Sequence, residues 1–204
     1  MSIQTAKNIN AILFFANKAG DVINRLKLMK LLWLADRFHL NKHGRLILKD
    51  SYVAMPHGPV PTSTMDFSRA NLTDKISLEG SHDIKALDNF NPDYFSKSDL
   101  DVMTFIWETL GGLDQFQLRD LSHHFPEWIR FQKEIQDTSL PNSYGMVMED
   151  FFNNPTEISI LERYFPDSAN YKKFLQTLSV ENAEDSKSHY RAYMAIQNSL
   201  DSSC

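Results

Sequence analysis

The sequence predicts a mainly α-helical fold: a compact multi-helix bundle around a central buried helix, with a small accessory β-hairpin or sheet. Three observations lead there. Apolar residues recur at spacings of three and four far more often than at two. The segment from Leu26 to Leu40 carries Leu28, Met29, Leu31, Leu32, Trp33, Leu34, Ala35 and Phe38 around most of its helical circumference. A helix of that kind packs on several sides at once. The stretches with strand character are all short.

In chain order, Ile9, Ile12, Leu13 and Ala16 predict a first helix that stops near Gly20. Asn24 is placed to cap a second, central helix running to about Lys42, with Gly44 beyond its end. "RLILKDSYVAM" then sets β-branched and aromatic residues on either side of a Lys-Asp-Ser turn, which predicts an extended excursion. It leads into "SYVAMPHGPVP", residues 51–61. Pro59 and Pro61 fix their own φ and press Gly58 and Val60 toward extended backbone, while Gly58 lets the chain pass close to a neighbouring element. The segment is a stiff, pre-ordered corner. A hairpin is predicted over residues 75–87, turning at Glu79-Gly80.

Helical spacing returns with Leu100, Met103, Ile106, Trp107 and Leu110, with Ser98 as the cap and Gly111-Gly112 as the stop. Asp114 with Gln117 three residues on forms a capping arrangement. Pro126 suits the first turn of "PEWIRFQKEI". Residues 137–145 read as a linker, followed by amphipathic segments near 145–152, 157–165 and 169–178, a flexible joint at 179–188 and a last helix near 189–200. That helix sets Tyr190, Tyr193, Met194 and Leu200 on one side. We therefore expect a core over residues 1–136 and a helical extension over 137–204 packed on it. Met146, Met148, Phe151, Phe152, Tyr164 and Phe165 make the extension a candidate partner-specificity element.

Composition narrows the function. The single cysteine is Cys204, so no intramolecular disulfide can form, and a cytoplasmic location is expected. No apolar run approaches the roughly 20 residues that span a bilayer. Net charge is −5, yet between Arg25 and Lys49 seven basic residues stand against Asp36 alone. The overall field disfavours non-specific nucleic-acid binding, while the basic stretch could meet an anionic partner. Lys27, Lys30 and Arg37 fall on a narrow polar seam of the central helix, read as its solvent-facing edge. Asp36 is expected to pair with a base on the helix surface.

Catalytic motifs are missing from the chain. It has no Gly-x-Ser-x-Gly elbow, no Gly-x-Gly-x-x-Gly and no phosphate-binding Gly-Lys-Ser/Thr loop. His39 and His43 share a helical face, but Leu40 stands where a zinc-peptidase helix carries glutamate. No metal or cofactor is expected. An enzyme built on His57, His123 and the aspartates is the alternative of a different class.

Several motifs together resemble the Panacea domain family of GepA-like and SocA-like antitoxins. They are Lys27-Leu28 and Lys30-Leu31-Leu32 with aromatic Trp33, Ala35-Asp36-Arg37, His39, Gly44-Arg45, Asp50, Tyr52 and Ala54. The series continues with His57-Gly58-Pro59-Val60-Pro61, Leu121-Ser122-His123 and Trp128. The resemblance covers about residues 5–135. It implies an antitoxin of a toxin–antitoxin system, of use in phage defence, that neutralises a cognate toxin protein by direct contact. A second implied role is that of an adaptor delivering the toxin to a Clp-type protease. Some relatives add a DNA-binding module. None is recognised here, so nucleic acid is not expected as a partner, while a homo-oligomer is compatible with the sequence. Candidate partner-binding residues are Lys27, Lys30, Trp33, Arg37, His57, Gly58, Pro59, Val60, His123 and Trp128.

Overall fold

The Asn24 side chain accepts the amides of Leu26 and Lys27 and so starts the central helix, because an N-cap oxygen satisfies donors that the first turn leaves free. This helix, α2, spans Arg25–His43 and ends at Gly44, which takes the left-handed conformation. Every residue from Leu28 to Asn41 is buried. The computed structural model describes residues 1–69, 73–165, 167–178 and 183–201.

The other helices are arranged around α2. Helix α1 (Ile3–Lys18) contributes Ile9, Ile12, Leu13, Phe15 and Ala16 to the shared core. Helix α3 spans Thr62–Arg69, α4 Lys97–Leu110, α5 Gln115–Ser122, α6 Pro126–Ile129 and α7 Gln132–Gln136. Helices α8 (Ser168–Leu178) and α9 (Ala183–Asp201) follow, and α1, α4, α5, α8 and α9 all touch α2. The fold is mainly α. Among the described residues, no helix is long and apolar enough to cross a membrane.

Two small antiparallel sheets complete it. Strands β1 (Val22–Asn24), β4 (Ile76–Glu79) and β5 (Asp83–Ala86) form one in the order β1-β5-β4, which contains the hairpin predicted over 75–87. The other contains β2 (Tyr52–Met55), β3 (Gly58–Pro61) and β6 (Tyr144–Gly145) in the order β3-β2-β6. Its hairpin turns at Pro56-His57 and not at Lys-Asp-Ser. The reason lies in Asp50, whose carboxylate accepts the Ser63 and Thr64 amides at 3.0 and 2.8 Å and so caps α3. Strand β3 tolerates two prolines because of its register. Thr62 donates its amide to Ser51, and Val53 faces Val60. By the antiparallel alternation Pro59 and Pro61 then occupy positions that owe no amide to β2.

Several expectations change at this level. Helix α4 is capped two residues earlier than expected, by Ser96 in a reciprocal capping box with Asp99. Ser98 instead faces His39 and Arg45. The linker at 137–145 contains β6. Two of the C-terminal amphipathic segments are 3-10 helices, Met148–Phe152 and Ile158–Tyr164, and they place Phe151, Phe152, Leu161 and Tyr164 in the same core as α1 and α2. The joint expected at 179–188 lies partly outside the described residues, and from Ala183 onward it is already α9. Tyr190 is buried on α9, Met194 is exposed, and the Leu200 side chain lies outside the described residues.

Candidate functional site

A helix buried all round needs partners for its charged, imidazole and amide side chains, since an unpaired buried polar group costs several kcal/mol in round figures, and here the Trp33 indole N–H alone among its buried side chains has no acceptor within the described residues. Helix α2 carries five charged, imidazole or amide residues in its buried stretch, and each ties a different neighbour to it. Lys30 donates to the Pro59 carbonyl at 2.8 Å. Asp36 accepts the amides of Ile47 and Leu48 and the Tyr52 hydroxyl at 2.6, 3.0 and 2.7 Å. Arg37 pairs with Glu127 at 2.9 Å, donates to the Asn153 carbonyl, and lies over the Phe125 ring. His39 reaches the Arg45 carbonyl through Nδ1, and its Nε2 lies 3.1 Å from both Ser98 Oγ and Asp99 Oδ1. Asn41 donates to the Phe151 carbonyl at 2.7 Å.

Burial governs the titration of Lys30 and Asp36. It pushes the Lys30 ammonium down to about 7. It raises the Asp36 carboxyl to about 6, against the opposing pull of Tyr52 and the two amides. Burial works on Asp99 in the same sense, but hydrogen bonds from His39 and Lys7 outweigh it and hold that carboxyl well below the usual range. His39 and His43 do lie side by side, their rings tilted at 40° with centroids 4.5 Å apart. Among the described residues, no group of three or more His, Cys, Asp or Glu is placed to hold a metal ion.

The corner at residues 55–61 is clamped from below. A Cβ built on Gly58 would lie 2.2 Å from Ser122 Oγ and 2.9 Å from Lys30 Cε, and Gly58 sits at φ +92. Only glycine fits. Trp128 donates its indole N–H to the Met55 carbonyl at 2.9 Å, and His123 stacks on the Trp128 ring with centroids 3.8 Å apart. Burial, helped by the Lys30 charge, pushes the His123 imidazole down to about 4. "HGPVP", "SHH" and the buried lysine are therefore parts of one lock.

Above this lock lies a cleft of about 540 Å³. The first turns of α2 and α5, the Met55–His57 corner, His82 of the β4–β5 turn and Asn142 line it. Most of its wall is apolar: Leu26, Met29, Met55, Pro56, Val60, Met65 and Phe116.

The family model for the SocA-like antitoxin Panacea domain matches residues 28–129. The chain belongs to this family. Comparison with curated proteins and with solved structures gave no match. The Panacea residues quoted from the sequence are the ones that tether α2 and lock the corner. Lys30, Trp33, Arg37, Gly58, Pro59, Val60 and Trp128 are buried, and of these only Val60 meets the cleft, as part of its wall. This corrects the polar seam: Lys30 and Arg37 point inward because their acceptors are inside. Asp36 likewise binds loop amides, with no surface base. Lys27 is half-buried and donates to the Gly111 carbonyl at 2.6 Å, and His123 is partly covered. Of the ten candidates only His57 is fully exposed, on the rim of the cleft. Phe116, 54% exposed, was not singled out from the sequence. A signal existed, since it lies two residues before the buried Leu118 and so on the opposite side of α5.

Proposed function

We propose that this chain is a cytoplasmic antitoxin that neutralises a cognate protein toxin by direct binding. Membership of the SocA-like Panacea antitoxins carries this reading. The burial of the motif residues supports it, because side chains committed to holding α2 in place make a frame, and recognition then falls to surface groups around it. Of the candidates named from the sequence, His57, the exposed parts of Lys27 and His123, and the edge of Val60 that lines the cleft are the ones available for contact.

The test is co-expression with the product of the adjacent reading frame. Growth should be rescued and the two proteins should copurify. Rescue with a shortened toxin half-life and no isolable complex would replace direct neutralisation with delivery to a Clp-type protease, and absence of rescue would remove the antitoxin reading.

A further inference from the structure

The cleft beside the corner has the makings of a recognition groove, and its chemistry says what it would accept. Three of its wall residues, Met29, Met55 and Met65, are methionines. Their unbranched thioether chains adapt to differently shaped apolar groups, which suits a surface that must fit a foreign side chain. Phe116 is exposed at one lip on the capped first turn of α5, and the locked corner with His57 forms the other.

Among the residues that line the cleft, Arg25 is the one permanently charged side chain. No carboxylate lines the cleft, although the chain as a whole is acidic. The neighbouring acids Asp83 and Asp114 keep their charge but lie outside the lining, one bonded to the Asn24 side chain and the other to the Phe116 and Gln117 amides. Arg25 lines the cleft, its guanidinium reaching only the Ser81 carbonyl at 3.5 Å, and it makes no ion pair among the described residues. The first turn of α2, where Arg25 stands, also presents the positive end of a long helix dipole. An apolar cleft with an arginine on its wall that makes no ion pair among the described residues complements a segment that carries an aliphatic or aromatic side chain next to a carboxylate.

Resting on the antitoxin reading, we propose that the cleft between the start of α2 and the β2–β3 corner docks such an acidic, apolar-anchored segment of the toxin, with Arg25 pairing its carboxylate. The corner that forms one wall is held by the Trp128–Met55 hydrogen bond and the Gly58 contact, so docking there orders little backbone.

The experiment measures binding of the full chain to the protein encoded by the adjacent reading frame, by calorimetry, for wild type, Phe116→Asp, Arg25→Glu, Arg25→Lys and a distant control, Leu87→Asp. Phe116 and Leu87 are both exposed, so neither change threatens folding, and thermal melts of all variants verify this. Phe116→Asp and Arg25→Glu should each weaken binding at least about tenfold, with Arg25→Lys and Leu87→Asp close to wild type. Wild-type affinity in both Phe116→Asp and Arg25→Glu would overturn the cleft assignment and leave the antitoxin reading standing. No binding by the wild type would overturn both. A drop in the sedimenting mass of the free chain on Phe116→Asp would assign the cleft to a second copy and also overturn the proposal.

Discussion

Lys30 places an ammonium group at the centre of the protein, fully buried, with the Pro59 carbonyl as its acceptor. Burial takes its pKa from 10.5 to about 7, so between those values the unfolded chain binds more protons than the native one. Stability from this residue therefore rises as pH climbs from about 7 to about 10.5, and the penalty is full below that window. His123, pushed down to about 4, is neutral in both states there and does not contribute. Replacing Lys30 with methionine removes the titration while keeping most of the apolar stem. In urea titrations across that range, wild type should gain stability relative to Lys30→Met as pH rises, whereas parallel curves would refute the assignment. The sequence did not reveal this burial. Charged residues are normally exposed, and the acceptors of Lys30 and Arg37 lie 29 and 90 residues away in the chain, where no local pattern encodes them.

At the scale of elements, the corner shows what local chemistry can and cannot announce. Its stiffness was legible, because two prolines and a glycine in a short run restrict backbone directly. So were the caps at Asn24 and Asp114, whose side chains bond within their own first turns. The hairpin turn was misplaced because Asp50, which reads as a turn residue, is used to cap α3, and the cap at Ser98 because two serines competed for one helix start. What the corner packs against was not legible. Gly58 faces Ser122 and Lys30 at distances that no Cβ could share. Gly58→Ala should therefore destabilise the fold by roughly 2–4 kcal/mol, combining overpacking with a left-handed backbone that alanine resists. Chemical denaturation would measure it, and a loss under about 0.5 kcal/mol, the scale of an ordinary surface change, would contradict the clamped corner.

For the whole molecule, the C-terminal region is integral to the body. Strand β6 pairs with β2, Arg130 is bonded to Asp150, and α9 approaches Gly44 so closely that a Cβ there would lie 2.8 Å from the Ser186 carbonyl. The helical class was readable because one long segment was apolar all round, and such a helix can be satisfied only by neighbours on every side. The cleft was not, since its wall draws on α2, β2, α3, the β4–β5 turn and α5, which only folding brings together. The Panacea motif residues thus build an internal frame, and the proposed recognition surface is carried on it.

That separation is tested most directly by measuring melting temperature and toxin affinity together for Asp36→Ala and Phe116→Asp. Asp36→Ala frees two buried amides and the Tyr52 hydroxyl, so it should lower the melting temperature by several degrees and lose affinity only as far as the protein unfolds. Phe116→Asp should melt like wild type and bind at least about tenfold more weakly. An Asp36→Ala protein that melts at the wild-type temperature yet no longer binds toxin would contradict the account, because the motif would then act in recognition itself.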